Sequence, residues 1–331
     1  MQKHSILVTG GAGYIGSHIV KQLVKAGEHV VVLDNLSTGH AENVQNAELV
    51  IGNCGDQILV ENILRQHNID SVIHLAASII VPESVEKPLQ YYQNNINNTV
   101  NLLNSCVNAS VKHFIFSSSA AVYGIPKQPF VDETTPCHPI NPYGRTKLMI
   151  EEILQDVSKV TALRHVSLRY FNVGGADPDG KIGSRNPAAT TLIKVATQVA
   201  LNIRPHLEIF GNDYPTVDGT GVRDYIHVTD IANAHLQALA YLRHNKPSIT
   251  LNCGYGHGYS VRQVIDAIER ITQAKLNIKE RERRPGDPTE VIADATKIRT
   301  VLGWTPKYDN LDVIIQTSLD WERKLLNANH R

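Results

Sequence analysis

Through the first half of the chain, short β-branched and apolar runs alternate with longer stretches whose apolar positions recur every three to four residues. The runs Ile6–Thr9, Val30–Asp34, Glu48–Gly52, Ser71–Leu75, Lys112–Ser117 and Val166–Phe171 predict strands. The periodic stretches Ile15–Lys25, Ile58–Arg65, Asn97–Asn108 and Tyr143–Val157 predict amphipathic helices. Several strand runs are apolar at nearly every position, as strands covered on both faces require. This alternation indicates an α/β fold built on a doubly wound parallel sheet of the Rossmann type.

Beyond Asn172 the pattern changes. Gly174–Arg185 and Gly211–Arg223 are rich in Gly, Asp and Pro and read as loops, with a helix pattern over Thr190–Leu201 and a short apolar piece at Leu207–Phe210 between them. A helix over Asp230–Leu242 and a strand over Ile249–Cys253 are placed to return to the first sheet. Ser260–Arg331 holds two helix patterns separated by the polar loop Lys279–Pro288. The chain therefore divides into a sheet lobe of residues 1–172, rejoined by 222–258, and a smaller mixed α/β lobe of 173–221 and 259–331. A ligand cleft is expected between them.

Composition narrows the function classes. The 331 residues carry 32 Lys plus Arg against 32 Asp plus Glu, so no global charge draws the chain to nucleic acid or to an anionic membrane. The four cysteines, Cys54, Cys106, Cys137 and Cys253, lack C-x-x-C spacing, which leaves a zinc site or a disulfide framework unsupported and fits free thiols in a reducing cytosol. No metal is expected. The apolar run Ile6–Val8 is too short for a secretory h-region, and no stretch nears the roughly 18 apolar residues of a spanning helix. A cytoplasmic location is expected.

The segment Gly10-Gly11-Ala12-Gly13-Tyr14-Ile15-Gly16 follows the first strand run and opens the first helix pattern. Glycines in a strand–turn–helix context let the backbone turn tightly and approach a pyrophosphate at the helix N-terminus. The G-x-x-G-x-x-G spacing is the short-chain dehydrogenase variant. The second strand ends at Asp34, eighteen residues past Gly16, where an acid binds adenosine ribose hydroxyls and repels a 2′-phosphate. No Arg or Lys lies between Asp34 and His40, which favours NAD over NADP. Read alone, Asp34 could be a solvated turn acid.

Tyr143 and Lys147 are four residues apart, on one helix face, just after Pro142, and the fifth strand runs into Ser117-Ser118-Ser119. Serine, tyrosine and lysine in that order and at those points are the short-chain dehydrogenase trio. A free phenol, of pKa about 10, is a poor base near neutrality, whereas a neighbouring ammonium and a positive nicotinamide ring favour phenolate. Lowering the pKa by ~3 units needs about 4 kcal/mol of differential interaction, within reach of two close cations in a desolvated cleft. Tyr143 is thus the expected base for a sugar hydroxyl, with Ser119 hydrogen-bonded to that hydroxyl and Lys147 holding the nicotinamide ribose.

The segments VTGGAGYIGSH, VIHLAA, ESVEKPLQYYQNN, HFIFSSSAAVYG, NPYGRTK, LRYFNVGGADP, IFGNDYPTVDGTGVRDYIHVTD, LNCGYGHGYSV and RRPGDP resemble those of the UDP-glucose 4-epimerases, from residue 5 to about residue 306. The resemblance implies NAD bound by Gly10, Gly13, Tyr14, Ile15, Gly16, Asp34, Asn35, Asn53, Cys54, Leu75, Ala76, Ala77, Asn94, Ser117, Tyr143, Lys147 and Tyr170. It implies a UDP-sugar held by Ser119, Tyr143, Asn172, Thr191, Glu208, Phe210, Arg223, Arg284, Asp287 and Val291. Arg223 and Arg284 are the local cations a diphosphate needs, though each could be an exposed loop arginine. The implied reaction is a transient oxidation at C4 of the hexose, rotation of the 4-keto sugar and hydride return to the opposite face, with no net redox change. Family members commonly form homodimers through a four-helix bundle, to which Asn97–Asn108 and Tyr143–Val157 could contribute, although either could equally be an ordinary core helix.

Several positions depart from the well-known bacterial pattern: Asn53 replaces an Asp near adenine, Ile79 a Lys near the cofactor phosphates, Thr191 an Asn near the uridine diphosphate, and Val291 a Tyr that walls the sugar pocket. The loss of that ring predicts room for an N-acetyl group at C2, unless Tyr255 or Tyr259 fills the space. A nucleotide-sugar 4,6-dehydratase carries Thr-Asp-Glu where this chain has Ser119-Ala120-Ala121, so the acids that expel a hydroxyl are missing. UDP-glucuronate decarboxylases and C5 epimerases usually place a Glu in the same segment, and Ala121 argues against them. A catalytically silent NAD-binding sensor on this fold typically loses the Tyr or the Lys, and both are present here.

Overall fold

The computed structural model describes residues 5–187, 189–284 and 286–329; Met1–His4, Ala188, Pro285 of the RRPGDP segment, and residues 330 and 331 lie outside it. Among the described residues, seven strands form one sheet: β1 (Ser5–Thr9), β2 (His29–Asp34), β3 (Glu48–Ile51), β4 (Ile69–His74), β5 (His113–Ser119), β6 (Arg164–Tyr170) and β7 (Ile249–Cys253). Their spatial order is β3-β2-β1-β4-β5-β6-β7, and every pairing is parallel.

Successive strand residues sort to opposite faces. Ile6, Val8, Val30, Val32 and Ile73 join one core with Ile19 and Leu23 of helix α1 (Tyr14–Lys25). Leu7, Val31, Val72, Phe114 and Phe116 join another. That second core takes Val60 of α2 (Gln57–Gln66), Leu102 of α3 (Asn98–Asn108) and Ile150 and Leu154 of α4 (Pro142–Val160). Burial on both faces explains the nearly all-apolar strand runs. The order reverses between β1 and β4, which opens a crevice at their carboxyl ends where doubly wound sheets take ligands.

Helix α4 starts where its sequence requires. The Asn141 side chain accepts from Gly144 N at 2.8 Å, and Pro142 occupies the first turn, where no N–H is missed. The remaining helices of seven or more residues are α5 (Leu192–Ala200), α6 (Val228–Arg243), α7 (Val261–Thr272), α8 (Thr296–Leu302) and α9 (Leu311–Asn329). Residues 296–302 escape sequence reading because seven residues are too few to display helical periodicity.

Two findings correct the sequence-based picture. The loop expected at Lys279–Pro288 begins as a strand, Ile278–Arg281, paired parallel with Leu207–Phe210. Lys279, Glu280 and Arg281 are exposed, so this strand has no apolar alternation to reveal it. A second sheet runs in the order Tyr259–Ser260, Val222–Arg223, Glu290–Ala293, Phe130–Val131. Its strands have two to four residues and draw on both halves of the chain, too short and too scattered for pattern recognition. Residues 222–258 thus supply strands to both sheets. Asp230 of α6 ties the C-terminal segment to the main sheet, accepting from Lys307 N at 2.9 Å, Tyr308 N at 2.8 Å and Tyr255 OH at 2.7 Å.

Candidate active site

The glycine turn sits at the crevice between β1 and β4. Gly10 has φ +74°, and a side-chain carbon there would lie 2.7 Å from Ala76 N, so Leu75–Ala77 after β4 pack directly on the turn. At Gly16 the same carbon would lie 2.2 Å from Gly10 O; only glycine lets α1 rise this close to the strand. Gly13 is the N-cap of α1, no side chain caps it, and the first turn holds no acid. Bare N–H groups at a helix N-terminus beneath a glycine turn suit a diphosphate.

Asp34 ends β2 almost fully buried, at 7% exposure, and its carboxylate accepts Ala12 N at 3.0 Å and Leu36 N at 2.9 Å. These bonds fix both oxygens, and each retains a lone pair for a hydroxyl. A side-chain carbon on Gly39 would lie 2.8 Å from the same carboxylate, so the 35–40 loop closes tightly over it. Asn35 and Asn53 are exposed and cap their own turns through Ser37 N and Gly55 N. Cys54 is buried and its thiol pKa is pushed up to about 11 by desolvation. Asn94 donates to Ser78 Oγ at 2.9 Å. The side chains of Tyr14 and Ile15 turn away from the crevice: Tyr14 OH donates to Gly175 O at 2.5 Å, and Ile15 packs on the core.

The three candidate catalytic residues meet at the carboxyl end of β5. Ser119, its last residue, accepts from Ala121 N at 3.2 Å and reaches the Tyr143 hydroxyl. Lys147 is buried on α4; its ammonium donates to Ser117 O at 2.7 Å and lies 5.8 Å from the Tyr143 ring centre and 5.0 Å from that of Phe116. Tyr170 ends β6, its hydroxyl 2.5 Å from His235 Nε2. The electrostatics differ from the simple expectation of a lowered phenol pKa. Desolvation pushes the Tyr143 hydroxyl up from its ordinary value, only partly offset by Ser119. Desolvation also drives Lys147 down from 10.5 to about 7, against the opposing charge of Glu151. The protein alone holds the trio close to neutral, and a further positive charge is needed to favour phenolate.

The candidate sugar-nucleotide residues come from several elements. Arg284 lies 3.6 Å over the Phe210 ring. Glu208, two positions from Phe210 along the strand, accepts from Arg281 Nε at 2.9 Å. Arg223 and Asp287, both expected to hold the UDP-sugar, are joined at 2.5 Å, and Arg223 also donates to the carbonyls of Pro288 (2.6 Å), Val222 (2.8 Å) and Thr289 (3.2 Å). Asn172 is exposed, and its amide nitrogen donates to Asp224 O at 3.3 Å. Thr191 stands exposed at the N-cap of α5 without a capping bond. Val291 lies opposite Arg223 in the small sheet and clusters with Phe171 and Val122. Tyr255 is occupied elsewhere, its hydroxyl on Asp230, and Tyr259 lines an outer concavity with Gln263 and Asp309.

Sequence reasoning misses several residues. Asp224 is fully buried, accepts from Tyr255 N, Gly256 N and Ala293 N, and has its carboxyl pKa raised to about 6 by desolvation. Arg185 donates to Asn43 at 3.2 Å, and Asn43 donates to Ala12 O at 3.2 Å, which brings the 174–187 loop over the glycine turn. Nothing local marks either. Glu151, eight residues past Tyr143, was visible as a third residue at helical spacing on that face.

The chain matches the sequence model of a family described as GDP-mannose 4,6 dehydratase over residues 7–317. It is 50% identical to the UDP-glucose 4-epimerase of Azospirillum brasilense, across 97% of this chain and 92% of that protein. Among solved structures, it superposes with a TM-score of 0.93 and 43% identity on UDP-glucose 4-epimerase from Brucella ovis in complex with NAD, covering 96% and 97% of the two chains. With the UDP-Glc/GlcNAc 4-epimerase of Campylobacter jejuni the TM-score is 0.85 at 46% identity, covering 97% and 99%.

Proposed function

The chain belongs to the UDP-glucose 4-epimerases, and from that premise we infer that it is an isomerase that interconverts UDP-glucose and UDP-galactose with NAD as bound cofactor. The observation that supports this most directly is the meeting of Ser119, Tyr143 and Lys147 at the same carboxyl edge of the sheet as the glycine turn. When bound, NAD supplies the acceptor and return donor for the C4 hydride and, oxidised, the positive ring that the trio lacks. The first-turn amides of α1, with Gly10, Gly13 and Gly16, take its diphosphate, and Asp34 takes the adenosine ribose. Tyr143 removes the proton of the sugar 4-hydroxyl and returns it to the same oxygen after the sugar has turned. Ser119, held by Ala121 N, hydrogen-bonds that oxygen. Lys147 stabilises the phenolate from beneath. Arg284 on Phe210, and the Arg223–Asp287 pair, face the nucleotide diphosphate and its ribose. Ala120 and Ala121 form the turn after β5 and carry no acid, so a 6-hydroxyl meets no proton donor there. Incubation of the purified chain with UDP-galactose is expected to give UDP-glucose; a 4-keto-6-deoxy product would instead identify a dehydratase.

Asp34 sets cofactor choice. Two charge-assisted hydrogen bonds to a ribose diol, and a carboxylate under a tightly closed loop, favour NAD over NADP by about 100-fold or more. Calorimetry on the cofactor-free chain checks this, and equal affinities would remove Asp34 from the site.

Val291, buried against Phe171 and Val122, is smaller than the Tyr expected there, and Tyr255 is held by Asp230, which supports a sugar end that admits an N-acetyl group. Turnover of UDP-N-acetylglucosamine beside UDP-glucose is expected, and Val291→Tyr is expected to lower the N-acetyl activity by about 10-fold or more while sparing the hexoses. Equal loss of both classes, or a wild type inert to N-acetylated substrate, contradicts the pocket argument. A homodimer through α3 and α4 is also proposed, supported by Val107 and Met149, which are 37% and 39% exposed on those helices. No described helix is long and apolar enough to cross a membrane. The four free cysteines fit the reducing cytoplasm proposed as its location.

A further inference from the structure

Tyr143, Lys147 and Glu151 follow one another at four-residue spacing along the face of α4 that meets β5. Each engages a different one of the three serines that end that strand. The Tyr143 hydroxyl meets Ser119, the Lys147 ammonium meets the Ser117 carbonyl, and the Ser118 hydroxyl donates to the Glu151 carboxylate. Only the first two have a part in the proposed chemistry.

Glu151 and Arg169 are 1% and 5% exposed, and Arg169 donates to the carboxylate from Nε at 3.0 Å and Nη2 at 2.6 Å. A buried pair of this kind gains little stability over apolar residues of the same volume, because both ions are stripped of water. Its reach is what distinguishes it. Arg169 Nη1 donates to Tyr123 OH at 2.9 Å, Tyr123 OH to Asn252 Oδ1 at 2.6 Å, and Asn252 Nδ2 to Val131 O at 2.8 Å. Tyr123 closes the Ala120–Val122 turn that Ser119 opens, so the network grips both ends of the segment carrying Ser119.

We infer that Glu151 is a positioning residue for the epimerase reaction: its carboxylate, shared by Ser118 and Arg169, fixes the register in which Ser119 meets Tyr143 and presents a negative charge to Lys147 from the interior. This rests on the reading of Tyr143 and Lys147 as base and cation. Among the described residues, Glu151 on α4 and His74 on β4 act on Lys147 directly and Tyr143 lies beside it, while Arg169 and Tyr170 on β6 act on Glu151 and on Tyr143. His74 is neutral, its pKa pushed down to about 3, and burial holds the Tyr170 phenol protonated. Glu151 is the one group of this set that favours the ammonium.

The test is the pH profile of kcat for UDP-galactose, measured on wild type, Glu151→Gln and the double variant Glu151→Gln/Arg169→Met, each with its bound cofactor. The double variant removes both charges at once and so shifts the limb little; if Glu151→Gln alone, with Arg169 unpaired, does not fold, the double variant tests the hold on Ser119 through a kcat about 10-fold lower across the pH range at unchanged KM. In Glu151→Gln the alkaline limb is expected to move down by about one pH unit or more and kcat at pH 8 to fall about 10-fold, with KM within about 2-fold of wild type. A purely structural role would lower thermal stability and leave the limb in place. A limb unmoved in folded Glu151→Gln, or a kcat unchanged in the double variant, overturns the inference while wild-type turnover keeps the parent reading; absence of turnover in wild type would fault that reading itself.

Discussion

Replacing Tyr143 with Phe is expected to lower epimerisation at least about 10³-fold while leaving UDP and NAD affinity within a few-fold of wild type. The substitution removes one oxygen and keeps the ring, so the packing of α4 against β5 is retained. Ser119 remains held by Ala121 N and is not left without a partner. What disappears is the group of the trio placed at the 4-hydroxyl proton: the Ser119 hydroxyl is too weak an acid to supply an alkoxide base, and Lys147 Nζ is turned to Ser117 O. Stopped-flow or coupled assay of UDP-galactose conversion, with binding by calorimetry, checks both halves. A variant with near wild-type turnover would show that Tyr143 is not the base.

Lys147→Met is expected to lower kcat about 10²- to 10³-fold and, at the same time, to stabilise the chain. The activity loss follows from removing a cation close to the developing phenolate in a desolvated cleft, a contribution of about 4 kcal/mol at an effective dielectric of 20. The stability gain follows from burial, which pushes Lys147 down from 10.5 to about 7. A lysine whose pKa is lower folded than unfolded costs stability fully below the folded value, and the cost fades as pH rises toward the unfolded value. Wild-type stability therefore rises between about pH 7 and pH 10 on account of this residue. A buried Met avoids the desolvation and forfeits one hydrogen bond to Ser117 O, for a net gain of about 1–3 kcal/mol near pH 7 that shrinks at higher pH. Melting of the cofactor-free chain across that range checks it; a less stable variant at every pH would mean that Lys147 carries no such cost.

Much of this was legible in the sequence for physical reasons. Strands buried on both faces are mostly apolar, so β1 and β2 announce themselves, and the turn after β1 can be nothing but glycine at Gly10 and Gly16. The spacing of Tyr143 and Lys147 predicts one helix face because α4 is a regular helix with a proper cap. What stayed hidden depends on contacts distant in sequence. The 278–281 strand is charged because it is exposed, and the small sheet assembles pieces of the chain more than a hundred residues apart. Arg223 and Asp287 pair only in the fold. The upward push on Tyr143 is a matter of burial, which no spacing encodes.

The account turns on transient oxidation at one carbon, and UDP-galactose deuterated at C4 tests that most directly. Incubated with the chain in ordinary water and followed by NMR, it is expected to yield UDP-glucose that retains the C4 deuterium, because the hydride leaves and returns within one closed site. Loss of the label to solvent, or exchange at C5 with a 4-keto-6-deoxy product, would contradict the account.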